Sequence, residues 1–240
     1  MKLFRIYNQL LSESLEDNQK SFELNEDELL DEDYPQGFSF DELHNQKNYA
    51  AKKRYVSEHL RKLSAGTGRD VYVVDSTKVL KMAKNPKGLA QNYVEADWGL
   101  QKWYDHIVAK VFDVDESDDR YWIEMELAKK LTPTRFKQLT GYKFEDFVWY
   151  IQIYNPNYRS KIHYGYEFPE GVKERLEDDQ FVMDMFSMIA DFDMPAEDFR
   201  KLNSYGEVVR DGEPQVVVVD YGLNQQVLDT HYRPKKKYNY

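Results

Sequence analysis

The sequence predicts an α+β fold in two lobes, and three features of the chain support this. Two short β-rich runs, VYVVD at 71–75 and KVLKMA at 78–83, precede a helical stretch, LAQNYVEADWGLQKWYDHI at 89–107, and two further candidate strands. Residues 128–194 are mainly helical in pattern, with a helix predicted over about 172–192. A hairpin turning at Asp211 then leads into four consecutive valines at 216–219. We therefore expect an N-lobe sheet with one helix, and a reduced, mainly helical C-lobe with a hairpin at its front.

The chain divides into three regions, and its 240 residues are enough for one large domain or two lobes. Residues 1–60 form an N-terminal extension, with an acidic arm followed by a predicted helix over 46–62. Residues 61–127 form the N-lobe and 128–240 the C-lobe. The arm, which contains NEDELLDEDYP, is interpreted as a short helix followed by a solvated tether, with a protein-docking arm as the alternative.

Composition excludes several classes of function. The chain has 33 basic and 43 acidic residues and a formal net charge of −10, which disfavours a nucleic-acid partner. The absence of cysteine excludes disulfides and thiol catalysis, and the five histidines lack the spacing of a zinc site. No stretch approaches the roughly 20 apolar residues of a membrane span, and the N-terminus is unlike a secretory signal. We expect an intracellular protein.

Asp220 follows the valine run directly, in VVVVDYG. Four β-branched residues without polar alternation predict a strand buried on both faces, which would deliver this carboxylate to the edge of a core. One interpretation is a turn residue that ends the strand, because Asp-x-Gly is common in turns. The other is a ligand of Mg²⁺, which requires a fixed oxygen donor.

A second group of candidates lies in the predicted N-lobe. Gly66 and Gly68 precede the first strand, where a backbone without Cβ atoms can approach a phosphate closely. Lys81 lies among apolar neighbours in the second strand, and Glu95 follows 14 positions later on a predicted helix. Such a glutamate could orient the lysine toward a phosphate, whereas the alternative places Lys81 on the wet side of an edge strand.

Asp198 and Asn203 lie five positions apart in MPAEDFRKLN, upstream of Asp220. A carboxylate that accepts a hydroxyl proton, together with a carboxamide and a second carboxylate that hold Mg²⁺, is the minimal set for phosphoryl transfer.

The order of these residues resembles the protein-kinase fold over roughly residues 61–223. Lys81 and Glu95 look like the strand lysine and helix glutamate of kinases, and MEL at 125–127 looks like the gatekeeper and hinge. The pair Asp198 and Asn203 is similar to the catalytic-loop pattern D-x-x-x-x-N, and Asp220-Tyr221-Gly222 stands where kinases have D-F-G. The whole pattern looks most like the small, truncated kinase-like proteins of tailed bacteriophages.

The resemblance implies ATP and Mg²⁺ as cofactors, and it assigns roles to residues of this sequence. The implied catalytic residues are Asp198, Lys81 and Glu95; the nucleotide-binding residues are Gly66, Gly68, Lys81, Glu126 and Leu127; the metal ligands are Asn203 and Asp220.

The sequence also departs from the kinase pattern. GTGRDVY lacks a third glycine, and Pro195, Ala196 and Glu197 precede Asp198 where kinases usually have a histidine and an arginine. Only 18 residues follow Gly222, without an A-P-E motif. The usual platform for a peptide substrate is therefore not expected.

Two functions of different class follow. The first is an ATP- and Mg²⁺-dependent phosphotransferase acting on a protein hydroxyl or on itself. The second is a catalytically weak or silent module, a pseudokinase that binds a partner or forms part of a phage particle or infection complex.

A tyrosine-rich loop over 154–168 is either a surface for a protein partner, such as another phage protein, or packing of the small lobe. The basic tail at 232–240 is either solvated or bound. The expected location is the host cytoplasm or the virion.

Overall fold

The computed structural model describes residues 35, 37–117, 119–154 and 165–232. The acidic arm up to residue 34, most of the tyrosine-rich loop, at 155–164, and the basic tail from residue 233 lie outside the described residues, so their predicted roles stay predictions.

A five-stranded antiparallel sheet forms the N-lobe, with the spatial order β1-β2-β3-β5-β4. Its strands are β1 (Arg61–Ala65), β2 (Arg69–Val73), β3 (Lys78–Ala83), β4 (Val111–Val114) and β5 (Trp122–Glu126). The second β-strand of the sequence prediction is β3, which lies at the centre between β2 and β5 and is almost entirely buried.

Helices cover both faces of this sheet. The helices α1 (Phe40–His44) and α2 (Tyr49–His59) share a core with Leu80 and Met82 of β3. Val79 of β3 instead belongs to the core that includes α3 (Pro86–Glu95) and α4 (Trp98–Tyr104). Because successive side chains of a strand point to opposite faces, Lys81 is placed on the same face as Val79, toward α3.

The C-lobe is mainly helical and carries a small three-stranded sheet. Its helices are α5 (Pro133–Thr140), α6 (Phe144–Tyr154), α7 (Val172–Glu177), α8 (Gln180–Asp191) and α9 (Gln225–Val227), with short 3₁₀ turns at Ala196–Arg200 and Leu202–Ser204 and a π turn at Leu228–Tyr232. Its strands are β6 (Lys129–Lys130), β7 (Tyr205–Arg210) and β8 (Glu213–Val218), in the order β6-β7-β8.

The predicted hairpin and buried valine strand are confirmed. Asp211 and Gly212 join β7 to β8 with positive φ angles of 54° and 80°, as a two-residue hairpin turn requires. Val217 and Val218 of β8 are fully buried. The Val218 N–H donates to the Ile107 carbonyl at 2.8 Å, and the Ala109 N–H donates to the Val218 carbonyl at 2.8 Å. The strand that leads to Asp220 is thus hydrogen-bonded to the segment after α4.

Three helix predictions need correction. The helix predicted over 46–62 ends at His59, and Arg61–Ala65 forms the edge strand β1 instead. The sequence RKLSA has only two apolar residues, Leu63 and Ala65, so pairing with β2 rather than local pattern places it in the sheet. The stretch predicted as one helix after residue 88 is two helices, because the Asp97 side chain accepts from the Leu100 N–H and caps α4. The helix predicted over about 172–192 is also two helices, α7 and α8, because the Asp179 side chain accepts from the Val182 N–H and caps α8.

The fold is therefore the predicted two-lobed α+β fold, with an N-lobe in which α3 follows the third strand and lies against the sheet. Within the described part of the chain, no helix is long and apolar enough to cross a membrane.

Candidate functional site

A buried ion pair joins β3 to α3. Lys81 Nζ lies 3.1 Å from Glu95 Oε1 and 3.0 Å from Oε2, and it also donates to the Val219 carbonyl at 2.7 Å. Lys81 is 7% exposed and Glu95 is fully buried. The predicted contact between these two residues is confirmed, and the alternative that Lys81 faces solvent is wrong.

Arg69 adds a second cation to the ion pair of Lys81 and Glu95, and its place there was not predicted from the sequence. Its guanidinium donates to Glu95 Oε2 at 2.5 Å and to Oε1 at 2.8 Å, and it reaches Asp220 Oδ1 at 3.2 Å. Its position directly after GTG, at the start of a strand, was the one local signal that it would point toward the site.

The charges of this cluster shift the pKa values of its members. Burial acts to raise the pKa of the Glu95 carboxyl, but the charges of Arg69 and Lys81 outweigh it and hold that pKa below its usual value. Burial lowers the pKa of the Lys81 ammonium, and the Arg69 charge acts in the same direction against the opposing effect of Glu95. The cluster therefore favours an ionised glutamate held between two cations.

Asp220 lies at the mouth of this cluster, with a side chain that is 58% exposed. The next residue, Tyr221, is buried and anchors the segment, since its hydroxyl donates to the Ala109 carbonyl at 2.6 Å. Gly222 then passes so close to α3 that a Cβ would lie 2.9 Å from the Gln91 Cβ and 3.1 Å from Glu95 Oε1. The backbone around Asp220 is thus fixed on both sides while its carboxylate remains accessible.

Asp198 faces the same region from the C-lobe. It lies in the turn Ala196–Arg200, and its carbonyl accepts from the Ser204 hydroxyl at 2.9 Å. Its Oδ2 atom is buried without a hydrogen-bond partner in the described part of the chain. Burial, together with the negative charge of Asp220, raises the pKa of the Asp198 carboxyl to about 6. Asn203 is exposed on the adjoining turn Leu202–Ser204.

The glycines predicted to contact phosphate lie in a turn that packs against the start of α3. A Cβ on Gly88 would lie 2.1 Å from the Gly68 carbonyl oxygen, so the two backbones are in direct contact. The Gly66 carbonyl accepts from Lys84 Nζ at 2.6 Å, and Asn85 Nδ2 donates to the Thr67 carbonyl at 2.9 Å. Close packing of this turn on α3 therefore accounts for glycine at position 88, and a Cβ on Gly68 would also lie only 3.2 Å from the Gly88 nitrogen.

The predicted hinge residues also make contacts within the protein. The Glu126 N–H donates to the Lys110 carbonyl at 2.8 Å, and the Leu127 N–H donates to the Thr77 carbonyl at 2.7 Å. The Glu126 carboxylate pairs with Arg210 of β7, which also donates to the Val108 carbonyl at 2.8 Å. A nucleotide base at this segment would have to use backbone groups other than these two N–H groups.

Two acidic residues at the site lie close enough for their charges to interact. No group of three or more His, Asp or Glu side chains in the described part of the chain could hold a metal ion by itself. Asp198 and Asp220 nevertheless repel each other, and a cation bound at the exposed Asp220 carboxylate would offset this repulsion. A nucleotide phosphate would have to supply further ligands.

No protein-family model and no curated protein matches the chain. Solved structures resemble it at low identity. APH(2″)-IIia, in a complex with GDP and kanamycin, is 10% identical with a TM-score of 0.35, and the match covers 69% of this chain and 67% of that one. The kinase domain of PknI from Mycobacterium tuberculosis is 13% identical with a TM-score of 0.31, covering 70% and 60%. The ADP-bound aminoglycoside phosphotransferase APH(2″)-Ib is 15% identical with a TM-score of 0.32, covering 71% and 69%.

Proposed function

We propose that this chain binds ATP with Mg²⁺ and transfers the γ-phosphate to a protein hydroxyl, on another protein or on itself. The observation that carries the proposal is the buried contact of Lys81 with Glu95, placed beside the accessible carboxylate of Asp220. A buried lysine held by a carboxylate is a fixed positive charge, which is what binding of an anionic phosphate requires.

Asp198 is the proposed general base. Its pKa of about 6 lies close to neutral pH, so the carboxylate is largely ionised at pH 7 and still basic enough to accept a hydroxyl proton. Its Oδ2 atom is buried and has no hydrogen-bond partner in the described residues, so a substrate hydroxyl that reaches it would supply the missing donor. The Ser204 hydroxyl, bonded to the Asp198 carbonyl, holds the turn that orients this carboxylate.

Asp220 and Asn203 are the proposed metal ligands. When bound, Mg²⁺ supplies neutralisation of the phosphate charge. The residues of this chain would bind the metal and orient the phosphate. Tyr221 and Gly222 fix the backbone around Asp220, and Lys81 adds a positive charge to that of the metal.

A catalytically silent module is the second candidate, supported by a different observation. Arg69 occupies one oxygen of Asp220, and the N–H groups of Glu126 and Leu127 are engaged within the protein. In this form the chain would act by binding a protein partner, such as another component of a phage particle or infection complex, in the host cytoplasm or virion. Trp98 and Trp103 on α4, 72% and 64% exposed, are a surface that such a partner could cover.

Incubation of the purified protein with γ-labelled ATP and Mg²⁺, alone and with bacterial lysate, separates the two candidates. If the chain is a phosphotransferase, the wild type should transfer label to protein. Asp198→Asn should then react at least 100-fold more slowly, on the order of the contribution of a general base. Labelling that is absent from the wild type, with nucleotide binding retained, would favour the silent module.

A further inference from the structure

Arg69 is the one charged residue of the cluster to which the proposed function gives no role. It lies at the start of β2, opposite Ala83 of β3, and its side chain is 8% exposed. A buried guanidinium must have its charge and its N–H groups matched by acceptors, so its partners show what it does.

The protein itself engages both terminal nitrogens of this guanidinium. Nη1 donates to Glu95 Oε2 at 2.5 Å and to Asn92 Oδ1 at 3.5 Å. Nη2 donates to Glu95 Oε1 at 2.8 Å and to Asp220 Oδ1 at 3.2 Å. Each terminal nitrogen carries two N–H groups, and all four have protein acceptors. The three N–H groups of Lys81 are engaged in the same way, so either cation would have to give up a contact before it could donate to a phosphate oxygen. Arg69 is therefore placed as a counter-ion of two carboxylates.

The charges of the four residues joined by ion pairs balance without a metal. Arg69 and Lys81 carry two positive charges, Glu95 contacts both of them, and Asp220 contacts Arg69. Asp198 lies near Asp220 as a further negative charge, but it has no ion pair with the cluster. A divalent cation at Asp220 would stand beside the guanidinium, and like charges repel strongly where water is largely excluded. Binding of such a cation therefore favours separation of Asp220 Oδ1 from Arg69.

The two carboxylates that contact Arg69 differ in exposure and in the number of hydrogen bonds that hold them. Glu95 is fully buried and holds the guanidinium with two hydrogen bonds while also accepting from Lys81. Asp220 has a 58% exposed side chain and one contact to Arg69. If the contact opens, rotation of the Asp220 side chain opens it, and the Arg69 to Glu95 contact stays.

We infer that Arg69 is the resident counter-ion of Asp220: it holds this carboxylate when no metal is bound and competes with a divalent cation for it. This inference rests on the proposed function, which makes Asp220 a metal ligand. Its consequence is a nucleotide site that is already assembled without metal, and a metal affinity that Arg69 weakens.

The test is Mn²⁺ binding to the protein, measured both without and with ADP, with free Mn²⁺ determined by electron paramagnetic resonance. Arg69→Gln keeps an amide donor for Glu95 and removes the charge, so it should bind Mn²⁺ about fivefold more tightly than wild type, the factor expected for loss of one partly exposed ion pair. Arg61→Gln removes an exposed arginine from the neighbouring strand β1 and should leave the Mn²⁺ affinity unchanged.

A second measurement uses the wild-type chain and is independent of whether Arg69→Gln folds. In a protein with ¹⁵N-labelled arginine, Mg²⁺ should shift the Arg69 Nη2 signal and speed its proton exchange, while Nη1 stays protected by Glu95 and Asn92. Metal binding with an unchanged Nη2 signal, or a folded Arg69→Gln that binds Mn²⁺ no more tightly than wild type, would overturn the inference alone. Absence of Mn²⁺ binding to the wild type and to Arg69→Gln, both without and with ADP, would overturn the proposed function with it.

Discussion

Replacement of the proposed general base should make the protein more stable while abolishing phosphate transfer. The Asp198 carboxyl has its pKa raised from 3.8 to about 6 by burial and by Asp220. A shift of about two pH units corresponds to about 3 kcal/mol of unfavourable free energy for the ionised form. Because the side chain is partly exposed, solvent screening reduces this, and we expect Asp198→Asn to raise the free energy of unfolding by about 1–2 kcal/mol at pH 7.5.

The direction of the Asp198 pKa shift determines how the free energy of unfolding changes with pH. A carboxyl whose pKa is raised in the folded state binds more protons there than in the unfolded chain, so its contribution to stability is present below pH 3.8 and lost as pH rises to about 6. The stability gained by Asp198→Asn should therefore shrink at pH 4.5 to about a third of its value at pH 7.5.

Urea unfolding followed by tryptophan fluorescence at both pH values measures this difference. Glu197→Gln is the matched control, because it removes a neighbouring negative charge from an exposed side chain and should change stability by less than about 0.5 kcal/mol. An Asp198→Asn protein no more stable than wild type at pH 7.5, or a gain that does not change with pH, would refute the assignment of Asp198 as a strained, buried carboxylate.

Two further substitutions test the cluster and its support. Lys81→Met should slow transfer at least 100-fold, on the order expected for loss of a positioned charge. It should lower the free energy of unfolding by about 1–2 kcal/mol, less than the usual 3–5 kcal/mol for a broken buried ion pair, because Arg69 still pairs with Glu95. A loss above 4 kcal/mol in urea unfolding would contradict the role given to Arg69. Gly88→Ala should lower the free energy of unfolding by more than about 2 kcal/mol, because its Cβ would lie 2.1 Å from the Gly68 carbonyl oxygen. Gly66→Ala, whose Cβ would meet its nearest neighbour at 3.6 Å, is the control and should change the free energy of unfolding by less than about 0.5 kcal/mol in the same assay.

The parts of the fold that follow from local pattern were predictable from the sequence. The Asp211-Gly212 turn specified the β7–β8 hairpin, since both residues must adopt positive φ, and the valine run specified the buried strand before Asp220. The pairing of Lys81 with Glu95 followed from their order in the chain, and strand alternation explains why the lysine points to α3.

The remaining features depend on contacts between distant parts of the chain. Arg69 and Asp220 are 151 positions apart, so nothing in the sequence near either residue indicates their contact. The contact of Gly68 with the backbone of Gly88 depends on how α3 lies against the sheet, which the sequence near the glycines does not indicate. The polar strand β1 lacks periodicity and is defined by its pairing with β2.

The central claim is that a metal-nucleotide complex binds beside Lys81 and Asp220, and the melting temperature with ATP and Mg²⁺ tests it most directly. A ligand at 100 times its Kd stabilises the folded state by about 2.7 kcal/mol, so millimolar ATP with Mg²⁺ should raise the melting temperature of the wild type by several degrees. Asp220→Asn, which changes a 58% exposed side chain, should keep the fold and lose most of the Mg²⁺-dependent part of this increase. An unchanged nucleotide response in Asp220→Asn would contradict the metal-ligand role of Asp220, and no increase in the folded wild type would contradict the nucleotide site itself.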